Sequence, residues 1–184
     1  ALQIHGGHGY IRAQGIEQFV RDARICQIYE GTNGVQALDL VGRKLPENAG
    51  RLLRRFFHPI ANYIERHQDD PALRDLVQQL AKAFGRLQRA TAHVAFTGRS
   101  DPNQALCGAS DYLRLFGLVA LGYVWCRTAQ CALRADGGLS AGFYQAKLDT
   151  ARFYMDRMLP ETGALLAGIM ADGDTVMGFD EAAF

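Results

Sequence analysis

Apolar residues in this 184-residue chain recur at helical spacing almost from end to end. No segment sustains the alternation of apolar and polar positions that a half-buried strand requires. Ile16, Phe19, Val20, Ala23 and Ile25 share roughly one face of a short helix. A second helix is predicted over 32–43, with Val35, Leu38 and Val41 on one side and Pro46 beyond its end. From 47 to 67, Leu53, Phe56, Ile60 and Ile64 fall at near-helical intervals, while Arg51, Arg54, Arg55 and Arg66 fall largely elsewhere. That is an amphipathic helix, with Pro59 as a point of kinking. Asp69-Asp70-Pro71 reads as a turn with capping carboxylates. The helix after it, to about 98, carries one stripe of Leu73, Leu76, Val77, Leu80, Phe84, Leu87, Thr91 and Val94.

Gly98-Arg99-Ser100-Asp101-Pro102 repeats that grammar, with Ser100 or Asp101 as the cap of a helix over 102–133. Within it, Leu113 to Cys126 is apolar almost all round apart from Arg114, and such a helix needs cover on every side. The run is shorter than the roughly 18–20 residues that span a bilayer, and Asp111, Arg114 and Arg127 bracket it. It is therefore expected at the centre of a bundle rather than in a membrane. Asp136-Gly137-Gly138 marks a turn, and Ser140 caps a helix whose face includes Phe143, Ala146, Ala151, Tyr154, Met155 and Met158. Pro160 either kinks that helix or begins another through Leu165, Ile169 and Met170; Asp172-Gly173-Asp174 ends it, and the tail from 176 to 184 is apolar enough to dock. The whole pattern predicts an all-α chain, an up-and-down helical bundle with no sheet.

Lys and Arg number 20 against 19 Asp and Glu, a net charge of +1, so no global field attracts nucleic acid or an anionic membrane. The four cysteines, at 26, 107, 126 and 131, lack Cys-x-x-Cys spacing and sit in apolar helical contexts. They read as reduced, small buried hydrophobes in a cytoplasmic protein. The length suits one domain plus part of another, and the leading Ala-Leu-Gln-Ile reads as the last turn of a helix that begins outside this chain.

The least ordinary stretch is Gln3-Ile4-His5-Gly6-Gly7-His8-Gly9-Tyr10, followed by Tyr29-Glu30-Gly31-Thr32-Asn33-Gly34. Two glycine-rich turns flank the short helix, and glycines at 6, 7 and 9 permit positive φ and close approach to a ligand. His5 and His8 lie three apart, but the intervening glycines break the helix that would align the rings, and no Cys or carboxylate cluster completes a metal shell. No metal site is expected, and no Gly-x-Ser-x-Gly points to a hydrolase. Taken by itself, Glu30 reads as a carboxylate capping the helix that follows it.

The ordered motifs Gln-x-x-Gly-Gly-x-Gly-Tyr, Arg-Asp-Ala-Arg and Ile-Tyr-Glu-Gly-Thr-Asn resemble the carboxyl-terminal helical domain of the acyl-CoA dehydrogenases over residues 1–45. Residues 46–184 resemble the helical extension of a larger-subunit branch of that family. The resemblance places Glu30 at the position of the catalytic base. It implies that Gln3, Gly6 and Gly7 contact the adenosine diphosphate half of FAD, that Thr32 lies beside the flavin, and that Gly31 leaves room for the thioester. Arg21 and Asp22 match an Arg-Asp pair, read as an ion pair fixing the short helix.

The implied reaction is oxidation of an acyl-CoA to its trans-2-enoyl-CoA, with electrons passed to an electron-transferring flavoprotein by a homodimer or homotetramer. Removing an α-proton needs a base in a dry site, where desolvation matches a carboxylate to a weakly acidic carbon. In the family the enolate oxygen is held by the base residue's own N–H and a flavin ribityl hydroxyl. Without the family's upstream domains, this stretch is expected to be catalytically silent and to bind FAD weakly. The alternative is a non-catalytic helical module for interaction or oligomerisation.

Overall fold

In a computed structural model, which describes residues 1–135, 138, 140–180 and 182, the described residues form helices and turns with no strand. The chain divides into two compact units, residues 1–36 and 37–184.

The first unit opens with a single turn in which the Ile4 and His5 N–H groups both donate to the Ala1 carbonyl, at 3.0 and 3.2 Å. Short 3-10 turns over Gly6–Tyr10 and Arg12–Gln14 lead to helix α1 (Ile16–Ile25). Helix α2 (Asn33–Asp39) follows, and the chain passes into the second unit within it. The helix predicted over 32–43 is thus shorter, because Leu40–Lys44 winds into a wider π turn. Arg21 does not pair with Asp22 as expected. Adjacent residues point to different sides of a helix, and its Nε donates instead to Glu17, one turn back, at 2.6 Å.

In the second unit, α3 (Glu47–His67) runs through Pro59 without leaving helical geometry; its departure lies at Asn48, Ala49 and Gly50, all at positive φ. The short connection to α4 (Arg74–Ser100) is closed by Asp70, whose carboxylate accepts from Ala72 N–H at 3.0 Å; it caps this turn rather than the helix proper. Asp101 is the cap of α5 (Pro102–Cys107), accepting from Asn103 and Gln104 N–H. The helix predicted over 102–133 breaks at Gly108, where a side chain would stand 3.1 Å from the Ile169 Cα, and resumes as α6 (Ala109–Arg134).

Ser140 caps α7 (Ala141–Phe153) by accepting from Phe143 N–H. A π turn over Tyr154–Met158 and a 3-10 turn over Leu159–Glu161, holding Pro160, then start α8 (Thr162–Ile169). Asp172 accepts from Asp174 N–H to begin the short α9 (Asp174–Met177). Residues 136 and 137 of the predicted turn, and 181, 183 and 184 of the tail, lie outside the described residues. Val176 and Phe179 are largely exposed. No described helix is long and apolar enough to cross a membrane.

The core forms where α6 packs on α4, α7 and α8. The full stripe predicted on α4 is buried, facing Tyr112, Leu115, Leu118, Val119 and Cys126 of α6. Burying each Leu or Val side chain stabilises the fold by about 1.5–3 kcal/mol. α6 is not covered all round, however, since Leu121 and Val124 stand more than half exposed. On the α7 face, Ala151, Tyr154 and Met155 are buried, while Phe143, Ala146 and Met158 are exposed. Among the cysteines only Cys126 is buried; Cys26, in the turn after α1, and Cys131, on α6, are exposed.

Hydroxyl groups tie the core's backbone together. Thr91 Oγ1 donates to the Leu87 carbonyl at 2.8 Å, so the Tyr112 hydroxyl must donate to Thr91, at 2.7 Å. Tyr154 Oη donates to the Leu118 carbonyl at 2.9 Å, and Tyr63 Oη to the Cys126 carbonyl at 3.0 Å. Beside them, Arg114 forms a two-pronged ion pair with Glu161, with Nη2 and Oε2 2.9 Å apart, which holds the Glu161 carboxyl below its ordinary value.

Burial pushes the Tyr112 and Tyr154 hydroxyls up from 10.0 to about 12. Each folded value lies above the unfolded one, so this contribution is intact below pH 10 and is lost as pH rises toward 12. Urea midpoints measured at neutral pH and across that alkaline interval are expected to fall steeply above pH 10, and Tyr112→Phe is expected to flatten part of the fall. A midpoint unchanged to pH 12 would contradict the assignment of these hydroxyls to the core.

Candidate active site

The two glycine-rich turns of the first unit behave differently. At Gly9 a side chain is impossible, since its Cβ would lie 2.7 Å from the Leu2 carbonyl oxygen. Gly9 is also the one buried residue of this unit among the described residues. Gly6 has φ +57°, and neither Gly6 nor Gly7 has any atom within 4 Å of where a Cβ would stand. Nothing inside the chain therefore accounts for glycine at 7. An exposed backbone with open flanks fits the close approach of a pyrophosphate. Gln3 is exposed, and its carbonyl accepts from Gly6 N–H at 3.2 Å.

The second turn is built around Glu30, whose φ of +54° puts a non-glycine residue in the left-handed region. That conformation costs about 1–2 kcal/mol for an L-residue. It is held by Gln36, whose amide reaches back from the first turns of α2 and donates to the Glu30 carbonyl at 2.7 Å. Gly31 follows at φ +98°, and a side chain there would meet Gln36 Nε2 at 3.1 Å and Val35 Cγ1 at 3.2 Å. The expected cap is absent: among the described residues the Glu30 carboxylate makes no hydrogen bond or ion pair, and its N–H has no acceptor. Thr32 is exposed, and its carbonyl accepts from Gln36 N–H at 3.0 Å.

Gln36 was not a sequence candidate. Its spacing gave no signal, since the Gln arm of a capping box accepts from the N-cap N–H, whereas this amide donates to a carbonyl. Cys26 and Tyr29 were missed as well. Cys26 Sγ donates to the Asp22 carbonyl at 3.4 Å and lies 3.9 Å from Tyr29 Oη, so the phenol is the donor to sulfur. The hydrogen bond to Cys26, then the charge that thiol can carry, then burial raise the Tyr29 hydroxyl above its ordinary value.

The structure brings Gly31, Val35 and Gln36 together about Glu30, whereas Gln3, Gly6 and Gly7 stand in the other turn. No hydrogen bond joins the two sets among the described residues. Between them in sequence, Ile16, Phe19, Val20 and Ala23 of α1 line a cleft of about 390 Å³ with Leu2, and Phe19 is 74 % exposed. The site thus has its backbone shaped but its apolar walls open.

Comparison with known proteins covers both stretches. The family described as "Acetyl-CoA dehydrogenase C-terminal like" matches residues 56–180, and "Acyl-CoA dehydrogenase, C-terminal domain" matches residues 1–45. The chain is 38 % identical over 181 residues to 3-methylmercaptopropionyl-CoA dehydrogenase of Ruegeria pomeroyi, covering 96 % of this chain and 30 % of that protein. It is 30 % identical over 196 residues to the broad-specificity linear acyl-CoA dehydrogenase FadE5 of Mycobacterium tuberculosis, covering 100 % of this chain and 32 % of that protein. Over 45 residues, 24 % of this chain and 12 % of that protein, it is 49 % identical to the Caffeyl-CoA reductase-Etf complex subunit CarC of Acetobacterium woodii. The chain therefore spans under a third of the length of the curated relatives it matches.

The contrast between the glycines is testable by hydrogen exchange over residues 1–15. Gly9→Ala is expected to release protection throughout the first turns, because its Cβ collides with the Leu2 backbone. Gly7→Ala is expected to leave it unchanged, within the roughly 0.5 kcal/mol typical of surface substitutions. Equal loss of protection in both variants would show that Gly7 is held by the chain itself.

Proposed function

The chain belongs to the acyl-CoA dehydrogenase family, as a carboxyl-terminal part, and on that premise we propose that its parent oxidises an acyl-CoA to the trans-2-enoyl-CoA with Glu30 as the base. The observation that carries this reading is the state of Glu30: a carboxylate and an N–H both without partners, on a backbone held in the left-handed region by Gln36. A residue whose only task was to cap α2 would spend its carboxylate on the helix amides. Strain kept in this way is characteristic of functional positions.

In the reaction, Glu30 takes the proton from the carbon next to the thioester, and the electron pair of that C–H bond moves toward the carbonyl. The free Glu30 N–H is then a donor for the oxygen on which charge develops, so that one residue serves as base and as part of the oxyanion hole. Gly31 would lie beside the thioester, with Gln36 and Val35 occupying the side where its own side chain would stand. Gln3, Gly6 and Gly7 would hold the adenosine diphosphate half of FAD, and Thr32 would flank its ring. Bound there, FAD would accept the hydride that leaves the β-carbon. Electrons would pass onward to an electron-transferring flavoprotein, a partner type suggested by the relative named as an Etf complex subunit.

Residues 1–45 would be the end of the catalytic helical domain and 46–184 its helical extension, in a cytoplasmic homodimer or homotetramer that serves fatty acid metabolism. A second reading, an interaction module, is favoured for these 184 residues by themselves by the open apolar walls of α1 and the exposed Leu121 and Val124 of α6. Both readings agree that this stretch alone is catalytically silent and holds FAD weakly.

In the full-length parent, Glu30→Gln is expected to keep flavin binding while lowering turnover by about 10²–10⁴-fold, the usual contribution of a positioned base. Stopped-flow reduction of the bound flavin by acyl-CoA measures it. Turnover within about tenfold of wild type, some 1.4 kcal/mol of barrier, would place the base elsewhere.

A further inference from the structure

The second unit contains a cavity of about 470 Å³ that the active-site reading leaves unused. Its walls are Val41, Leu45, Leu53, Val94, Ala105 and Leu106, brought together from the π turn after α2, from α3, from α4 and from α5. A small residue makes the room: Ala95 on α4 lines it as well, where a larger side chain would fill it, while at Gly98 a side chain would meet Ala105 Cβ at 3.3 Å. Thr91 is the polar side chain in the floor. Its hydroxyl already donates to the Leu87 carbonyl and accepts from Tyr112, so it asks nothing of an occupant. The interior is thus suited to hydrocarbon, and its volume falls within the roughly 300–1,000 Å³ of small-molecule sites.

Two features distinguish this cavity from a packing fault. Arg99, in the last turn of α4, lies on its lining, is exposed, and has no carboxylate partner among the described residues. It is the charged side chain of an otherwise apolar wall. Between the lining residues Pro46 and Leu53, the chain makes the left-handed turn at Asn48, Ala49 and Gly50, kept by Arg54 Nη1 donating to the Ala49 carbonyl at 2.6 Å. Two non-glycine residues held there cost about 1–3 kcal/mol each, the kind of strain found at ligand clamps.

We propose that this cavity is a binding site for an amphiphile with a medium-length aliphatic tail and a carboxylate head, the tail lying among the aliphatic side chains and the head paired with Arg99. It draws on no residue assigned to the base or to the nucleotide, so it stands or falls independently of those assignments. Sequence patterning places its aliphatic residues on helix faces that look like ordinary core, and only the fold shows that they stop short of one another.

The experiment is calorimetric titration of the full chain with decanoate, decanol and decyltrimethylammonium. Saturable one-to-one binding of decanoate is expected, with decanol and the cationic detergent weaker by at least about tenfold, the scale of a hydrogen bond to a charged group. Arg99→Glu is expected to remove that preference, and Ala95→Phe, which fills the cavity from an exposed backbone position, to abolish binding while the thermal unfolding curve stays in place. Equal affinity for all three probes, or decanoate binding that survives both substitutions, would overturn the proposal. So would the absence of saturable binding.

Discussion

Packing of α6 against α4 is the constraint on which the second unit depends. Both helices bury an unbroken apolar stripe against each other, and two side-chain hydroxyls, Thr91 and Tyr112, are sealed between them with each hydrogen bond met. A buried hydroxyl left without a partner costs roughly 1–3 kcal/mol, so the relay admits one register of α6 on α4 and rejects neighbouring ones. Once that register is set, Tyr63 and Tyr154 can reach the α6 carbonyls at Cys126 and Leu118, which pins α3 and the turn after α7 to the same helix. The Gly108 break and the Arg114–Glu161 pair then fix α8 beside it.

The first unit is organised on a different principle. Its shape comes from backbone geometry: positive φ at Gly6, Gly15, Glu30 and Gly31, a steric exclusion at Gly9, and one amide, that of Gln36, reaching back across a turn. Apolar burial contributes little, because Ile4, Tyr10, Phe19 and Tyr29 are all largely exposed. A segment of this kind presents the Glu30 carboxylate and the open backbone at Gly6 and Gly7 with its apolar faces uncovered. In the proposed reaction, whatever closes over it would decide when Glu30 is dry enough to act as a base. The two units thus differ in kind: a bundle with an apolar core and a short segment shaped by its backbone.

Helix positions in the bundle were legible in the sequence because each long helix writes its buried face at 3.6-residue spacing, and the α4 stripe was read residue by residue. Its interruptions were not legible. Gly108 looked like one more small residue inside a helix, and only the approach of Ile169 shows why the chain breaks there. Pro59 suggested a kink, but the departure from helical geometry came at Asn48–Gly50, where Asn and Gly tolerate positive φ and Ala49 does not ask for it. At the candidate site, Glu30 and the glycines announced themselves by motif, whereas Gln36 became visible only through a contact six residues back. The Arg21–Asp22 pair failed for a simple geometric reason, since neighbours in sequence are not neighbours on a helix surface.

The central claim is that these residues combine a bundle closed by its own core with a leading segment whose shape is local. Native-state hydrogen exchange on the full chain tests it most directly. Amides of α4 and α6 are expected to exchange only by global unfolding, with residues 1–36 opening at a small fraction of that free energy. Uniform protection across both units would contradict the account, because it would mean that the leading segment draws its stability from the bundle core rather than from its own turns.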